Sequence, residues 1–224
     1  MIKKFTFKLN KEYSDKLLIA IRNKSHIIEV LMNSIKYIYL YNDPDIDLEI
    51  EDTENELILY INKESKISRL FFLEEKRIYS IGFPFFLSLD DNNNIKKIYS
   101  NIIDDITLKL TSDVISLIGC KKENRSQCSY EFFEPIMEYQ DENEYIWDFL
   151  KELLTYEDAY LRYDFDPNTF EEYRKKGIAD HHPTNHYDIF YTTGSTFKLG
   201  LKSTINFDDF LSLLKVNSKC SFLN

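Results

Sequence analysis

The spacing of apolar residues in the first half of the chain predicts two long helices with strands between them. Apolar residues recur every three to four positions from Asn10 to about Tyr37, and again from Ile95 to Ile118, as they do on one face of an α-helix. From Ile46 to Leu89 the pattern changes to short apolar runs that are separated by Asp, Asn and Lys-Glu turns. We expect these runs to form an antiparallel meander.

The second half of the chain continues this mixture of helices and strands. An amphipathic helix is predicted over Asp141–Tyr156, with Tyr145 on its apolar side, and an alternating strand over Leu161–Phe165. The other expected elements are a polar insert over 167–183, a hairpin with strands 187–191 and 196–202 that turns through 193–195, and a closing helix over Phe207–Leu214 that Asn206 caps. This order favours an α+β fold with one or two antiparallel sheets and three to four packed helices.

Composition and charge limit the number of domains and the class of function. With 224 residues, 43% of them hydrophobic, the chain can bury one good core. We expect a single domain over residues 1–224, with the polar stretch 121–128 as the candidate for an internal boundary. The formal net charge of −10 disfavours direct binding to a nucleic-acid backbone. Nucleic acid is therefore expected to reach this chain only through a partner.

Cysteine content and hydropathy indicate a protein of the cytoplasm. The three cysteines form no Cys-x-x-Cys pair, so a disulfide framework is not expected. The most apolar run, Ile81–Leu89, is about half as long as a membrane span requires and contains a proline. The sequence therefore predicts a cytoplasmic protein that does not enter the membrane.

Residues that could carry out chemistry are concentrated in two short segments of the second half. Three of the four histidines lie between His181 and His186, in the stretch ADHHPTNHYD, and the stretch RYDFDP precedes them at 162–167. Alternate residues of a strand share a face, so each segment places polar residues on one side. If the two strands are neighbours, one polar surface collects Arg162, Asp164, Asp166, His186 and Asp188, with Asp180 and His182 close by in the sequence.

Two interpretations of these residues stay open. Imidazole and carboxylate groups can bind a divalent metal such as zinc, manganese or magnesium, and a histidine held by an aspartate can act as a general base. Phosphodiester cleavage can use either arrangement. The same residues also fit a loop that is tied to the sheet by hydrogen bonds, because His182 precedes a proline and is held extended. The spacing matches none of the well-defined metal or deaminase motifs.

The C-terminal third of the chain resembles domain-of-unknown-function family 2290, a bacterial family. The resemblance covers residues 145–216 and is carried by Arg162-Tyr163-Asp164 at a strand end, His182-Pro183-Thr184-Asn185-His186, and the closing helix from Phe207 to Leu214. Members of that family look like components of anti-phage loci, some of them encoded beside a helicase. The resemblance implies that Arg162, Asp164, His182 and His186 are site residues.

Three hypotheses about function follow from these observations. The first is an accessory or effector subunit of a bacterial anti-phage defence system that docks on a larger partner, such as a helicase or another NTPase. The second is a nuclease or toxin-like effector, in which Asp164, His182, His186 and Asp188 cleave phosphodiester bonds and Arg162 binds phosphate. The third is an inhibitor that neutralises a basic effector by its negative charge.

Overall fold

The computed structural model describes residues 2–50, 54–119, 144–189, 198–215 and 218–219. Within these ranges the chain forms nine β-strands and six α-helices. The strands are β1 (Ile2–Lys8), β2 (Glu56–Asn62), β3 (Ile67–Glu74), β4 (Arg77–Gly82), β5 (Phe86–Leu89), β6 (Ile95–Tyr99), β7 (Leu161–Phe165), β8 (Asn185–Asp188) and β9 (Lys198–Leu201). The helices are α1 (Lys11–Leu17), α2 (Lys24–Asn42), α3 (Leu108–Gly119), α4 (Glu144–Thr155), α5 (Pro167–Lys175) and α6 (Phe207–Leu213), with a short 3-10 helix at Ala179–His181.

Seven of the strands form one sheet in which every pair of neighbours is antiparallel. The strand order is β1-β2-β3-β4-β7-β8-β9, so β7 returns to the edge of β4 after a long excursion of the chain. That excursion contains the separate β5–β6 pair, α3 and α4. The α+β class and the antiparallel sheets predicted from the sequence are confirmed.

One face of the sheet, called here the first face, is covered by helices along β1 to β4. Strand residues that are paired in register bury apolar side chains on this face: Phe7, Leu57, Phe72 and Tyr79. They share one core with buried residues of α1, α2, α3 and α4. The stacked rings of Phe72 and Tyr79, 4.3 Å apart, are part of this core.

The opposite face, the second face, carries a smaller apolar core. Alternate residues of β2, β3, β4, β7 and β8 point here, and α6 packs over them. The Phe71 ring meets the rings of Phe207 and Phe210 edge-on, at 5.3 and 6.2 Å. Asn206 begins α6 with a capping box that includes Asp209, so the helix start predicted from the sequence is confirmed.

The single helix predicted from Asn10 to about Tyr37 is wrong, because the chain breaks it into α1 and α2. Asn23 has extended backbone angles and its side chain accepts a hydrogen bond from the backbone N–H of His26, which starts a new helix. Leu17, the last residue of α1, and Ile21, which lies within the break, are both buried. The apolar spacing therefore continues through a segment that is not helical.

The helix predicted from Ile95 to Ile118 is also wrong in its first half. Residues 95–99 form β6, which pairs with β5, and the helix begins only at Leu108. Between them the Ser100 side chain accepts hydrogen bonds from the backbone N–H groups of Ile102 and Ile103 and forms a turn. Ile102 is 40% exposed, so it does not continue the apolar face that the spacing suggested.

The polar insert predicted over 167–183 contains α5 and the 3-10 helix. Asp166 caps α5 and Pro167 lies in its first turn, a helix-start signal that the polar composition hid. Strand β1, at the start of the chain, also stands where no strand was predicted, and it pairs along its whole length with β2. The described residues hold six α-helices instead of three or four, because the first predicted helix is split in two and α5 was not predicted.

Helix α4 and the antiparallel pairing of the two hairpin strands agree with the sequence prediction. The first of these strands, β8, begins at Asn185, two residues before the predicted start, and ends at Asp188. Tyr145 is 70% exposed, so its predicted placement on the apolar side of α4 is wrong. The meander was predicted to begin at Ile46, but residues 46–50 form no strand. The hairpin turn at 193–195 and the boundary candidate at 121–128 lie outside the described residues. No helix in the described ranges has both the length and the apolar character that crossing a membrane requires.

The packing of α6 on the second face can be tested with two alanine variants. Phe210 is fully buried, whereas Leu213 on the same helix is 37% exposed. Removing the Phe210 ring leaves a cavity, so we expect Phe210→Ala to lower the free energy of unfolding by about 3–5 kcal/mol. Leu213→Ala should lower it by less than about 1 kcal/mol. Equal losses in urea denaturation would contradict this packing.

Candidate functional site

Between β4 and β7 the first face of the sheet changes from apolar to charged. Tyr79 on β4 is the last core residue of its row, and it pairs with Arg162 on β7. Arg162 in turn pairs with Asp188 on β8, and Asp188 pairs with Lys198 on β9. One row of paired residues across the sheet thus begins in the apolar core and continues with ionisable side chains on β7, β8 and β9.

The next row of the sheet adds three more polar partners. Arg77 on β4 pairs with Asp164 on β7, which pairs with His186 on β8. The two rows bring six ionisable side chains together, and we call them the charged cluster: Arg77, Arg162, Asp164, His186, Asp188 and Lys198. The alternation of side chains along β7 and β8 places them on one face, as the sequence predicted for Arg162, Asp164, His186 and Asp188.

Arg162 joins the two carboxylates of the cluster. Its Nε donates to Oδ2 of Asp164 at 2.8 Å, and its Nη2 donates to Oδ2 of Asp188. A second guanidinium, that of Arg77, donates to the other oxygen of Asp164 at 3.1 Å. Burial lowers the pKa of Arg162, but Tyr160 and the two carboxylates outweigh this effect and raise the pKa above its ordinary value. Arg162 is therefore charged at every physiological pH.

His186 lies fully buried at the centre of the cluster. Its Nδ1 lies 2.8 Å from the carbonyl oxygen of Pro183, which can only accept, so Nδ1 carries the proton. The other ring nitrogen, Nε2, accepts a hydrogen bond from the Lys198 ammonium at 2.8 Å. Burial, together with the charge of Lys198, lowers the pKa of His186, so the imidazole is neutral at neutral pH. Lys198 also donates to Oδ1 of Asp188 at 3.1 Å.

His182 lies at the rim of the charged cluster. Its ring meets that of His186 edge-on at 4.7 Å, and its Nε2 lies 3.9 Å from a carboxylate oxygen of Asp166. Its Nδ1 is buried and has no hydrogen-bond partner among the described residues. The Asp166 carboxylate accepts a hydrogen bond from the backbone N–H of Thr169. Burial by itself raises the pKa of Asp166, but the hydrogen bonds from Thr169 have the larger effect, so the pKa of Asp166 is below its ordinary value.

One side of the cluster opens into a cleft of about 400 Å³. The lining includes both guanidiniums, Lys198 and His182, so these groups can meet a ligand. His186 and Asp188 lie behind them, and Asp188 is only 2% exposed. The arrangement combines groups that can bind an anion with a histidine that can transfer a proton.

The structure brings together four of the five residues that the sequence placed on one polar surface. The fifth, Asp166, caps α5 at the rim of the cleft, beside the sixth candidate, His182. Asp180, which was grouped with them, is exposed on the 3-10 helix. Sequence reasoning missed Arg77 and Lys198. Lys198 falls in a predicted hairpin strand, but the spacing along the chain gives no register between strands. Arg77 lies 87 residues before its partner Asp164, and no local pattern connects the two.

Three ligand atoms of the cluster are close enough to hold a metal ion. Asp164, His186 and Asp188 each offer one atom, and these atoms all lie within 4.8 Å of one another. Their chemistry, one imidazole and two carboxylates, suits zinc or manganese.

The charged cluster is a poor source of stability, which makes its burial informative. Taking charges out of water costs several kcal/mol for each ion, and their mutual attraction repays this only with excellent geometry. Replacing buried ion pairs by well-packed apolar residues of similar volume is often neutral or stabilising, and the β1–β4 half of the same face is filled in this way. Shielded ionisable groups beside a cleft are typical of functional sites.

No family model, curated protein or solved structure matches the chain. The resemblance of residues 145–216 to family 2290 therefore stays a prediction.

The buried neutral state of His186 predicts a dependence of stability on pH. The pKa of His186 is lowered in the folded protein, so below about pH 6.5 the unfolded chain binds a proton that the folded protein refuses. This contribution is complete above the unfolded pKa and is lost as the pH falls toward the folded pKa. We expect the free energy of unfolding, measured in EDTA, to fall more steeply from about pH 7 to about pH 5 in the natural protein than in His186→Gln. The exposed-site control His181→Gln should keep the natural slope; equal slopes in all three proteins would contradict the expectation.

Gly200 faces His186 across the β8–β9 pair and leaves room for Pro183. A Cβ atom at position 200 would lie 2.9 Å from Cγ of the rigid Pro183 ring, so Pro183 would have to move away. We expect Gly200→Ala to shift the imidazole NMR signals of His186 and to lower the free energy of unfolding by about 1–3 kcal/mol. Gly119→Ala, whose Cβ meets no atom within 4 Å, is the matched control and should leave the His186 signals in place. Unshifted signals in both variants would show that Pro183 does not orient His186.

Proposed function

We propose that the chain is an effector subunit of a bacterial anti-phage defence system, and that it cleaves phosphodiester bonds at the charged cluster. The observation that carries the proposal is a cluster of six ionisable side chains on the sheet face that also carries the larger apolar core, beside an open cleft. Asp164, His186 and Asp188 are buried in this cluster, and its three cationic side chains are half-buried. The defence context follows from the resemblance to family 2290.

The roles of the residues follow from their exposure and their partners. Arg77, Arg162 and Lys198 line the cleft and are the groups that would bind a phosphate and stabilise the negative charge that develops on it. His182 also lines the cleft, with Asp166 near its Nε2, and we assign proton transfer to it. The buried His186 holds Lys198 in position, so it acts as a positioning residue.

Charge supports the inference that a partner delivers the substrate. The cleft lining balances four cationic side chains against four carboxylates, namely Lys76, Arg77, Arg162 and Lys198 against Glu74, Glu75, Asp164 and Asp166. The chain as a whole carries a formal charge of −10. Neither the surface nor the cleft can gather a polyanion from solution by its own field. We therefore infer a larger cytoplasmic partner, a helicase or another NTPase, that binds the nucleic acid and presents it.

A second candidate function is an accessory subunit without chemistry of its own. One observation favours it: the carboxylates of Asp164 and Asp188 are both already paired with cations of the same cluster. In that case the cluster would hold β7, β8 and β9 together beneath a docking surface.

A cleavage assay separates the two candidates. The full chain is incubated with short labelled RNA and DNA oligonucleotides, single- and double-stranded, at high concentration, so that delivery by a partner is not limiting. We expect cleavage by the natural protein, and a loss of about 10²–10⁴-fold in the rate for His182→Ala, because the proton-transfer group is missing. The neighbouring exposed residue provides the control: His181→Ala should cleave at the natural rate.

The two negative outcomes have different meanings. Cleavage that is equal in His182→Ala and the natural protein would remove His182 from the reaction. Failure of the natural protein to cleave any substrate, both alone and when it is purified after co-expression with the products of its neighbouring genes, would contradict the effector proposal and favour the accessory subunit.

A further inference from the structure

We propose that Asp164, His186 and Asp188 form a binding site for a divalent transition-metal ion, zinc or manganese, and that the ammonium group of Lys198 holds the position of this ion when the metal is absent. The use of the ion in catalysis rests on the proposed function, whereas its binding does not.

The ligand atoms have the separations that a small cation needs. Nε2 of His186 lies 3.6 Å from Oδ2 of Asp164 and 3.9 Å from Oδ1 of Asp188. A tetrahedral ion with bonds of about 2.1 Å places its ligands about 3.4 Å apart, so each of the two distances from Nε2 needs to shorten by only a few tenths of an ångström. The three ligand atoms all lie within 4.8 Å of one another.

The hydrogen bond from His186 to Pro183 prepares the correct ring nitrogen. Because Nδ1 donates its proton to a backbone carbonyl, Nε2 presents its lone pair toward the two carboxylates. Metal-binding histidines are generally held in this way, with the second nitrogen bonded to a carbonyl or carboxylate that fixes the tautomer and the ring orientation. The imidazole therefore needs neither a proton loss nor a rotation before it can bind an ion.

Lys198 already places a cation between two of these ligands. Its Nζ lies 2.8 Å from Nε2 of His186 and 3.1 Å from Oδ1 of Asp188. The lysine side chain is 23% exposed and lines the cleft, and its flexible stem allows the ammonium group to move out into the cleft. A metal ion can thus replace it without a change in the backbone.

The other charges that face the site explain what this exchange would achieve. With His186 neutral, Arg77, Arg162 and Lys198 oppose two carboxylates, a sum of +1. When a divalent ion takes the place of the Lys198 ammonium, and that ammonium moves into the cleft, the same groups together with the ion sum to +3. The site then attracts an anion more strongly, and the displaced ammonium lies in the cleft where a phosphate would bind. When bound, the ion would supply a Lewis acid and an activated water for hydrolysis.

The experiment measures binding of the metal alone to the full, metal-free chain. We expect zinc or manganese chloride to bind to the natural protein in isothermal titration calorimetry, and cobalt to give a visible absorption band at the same site. Lys198→Met should bind about tenfold more tightly, because the competing ammonium is gone. His186→Gln should lose binding, and His181→Gln should bind as the natural protein does.

Each other result has a defined meaning. Absence of binding in the natural protein and in Lys198→Met overturns the metal site, and so does binding that His186→Gln leaves unchanged. If Lys198→Met is folded and binds the metal more weakly than the natural protein, the ammonium group does not compete with the metal. If circular dichroism shows that Lys198→Met does not fold, Lys198→Gln, which also lacks the charge, is tested in its place. If the protein binds no metal and still cleaves in EDTA, the proposed function holds and the metal site is rejected. If it binds the metal but cleaves no substrate, the metal site holds and the proposed function is rejected.

Discussion

The paired hydrogen bonds of Arg162 are the interaction on which the polar half of the sheet depends. Two carboxylates, Asp164 and Asp188, face the same buried space from adjacent strands, and alone they would repel each other. Arg162 reaches an oxygen of each, so β7 and β8 can pair with their charged side chains inward. A buried carboxylate without a cationic partner costs several kcal/mol, so the register of these strands and the charge of Arg162 are coupled.

The position of Arg162 depends in turn on the apolar half of the molecule. The contacts that hold the segment before β7 include a hydrogen bond from Lys24 of α2 to Asp158 at 2.6 Å. The backbone N–H of Gly82 donates to the Asp158 carbonyl, and Arg69 donates to the carbonyl of Ala159. Burial lowers the pKa of Arg69 to about 10, which still leaves it charged at neutral pH. Tyr79, the last core residue of its row, packs on Tyr160. The helical core therefore sets where the charged row begins, and the cleft opens where the helices stop.

These dependencies explain how much the sequence could predict. The alternation of side chains along a strand predicts which residues of β7 and of β8 share a face. With the further assumption that the two strands are neighbours, it also predicts that Arg162, Asp164, His186 and Asp188 lie together. Arg77 and Lys198 could not be found in this way, because their place depends on the register of β4 and β9 against strands that are distant in the sequence. The two incorrect helix predictions have a related cause. Apolar spacing of three to four residues also occurs when a strand, a connecting segment and a helix each direct residues into one core, as Ile98, Ile106 and Val114 do.

Charge within the cluster and charge on the chain have opposite signs, and this difference bears on both proposals. The overall charge of −10 keeps free polyanions away, while the charged cluster sums to +1 without a metal and to +3 with a divalent ion bound. A site of this kind would stay without substrate until a partner brought nucleic acid to the cleft, because long-range attraction is absent and only short-range contacts favour binding. Such an effector would cleave little on its own at low substrate concentration, and its partner, by holding the nucleic acid, would determine when the cluster meets a phosphate.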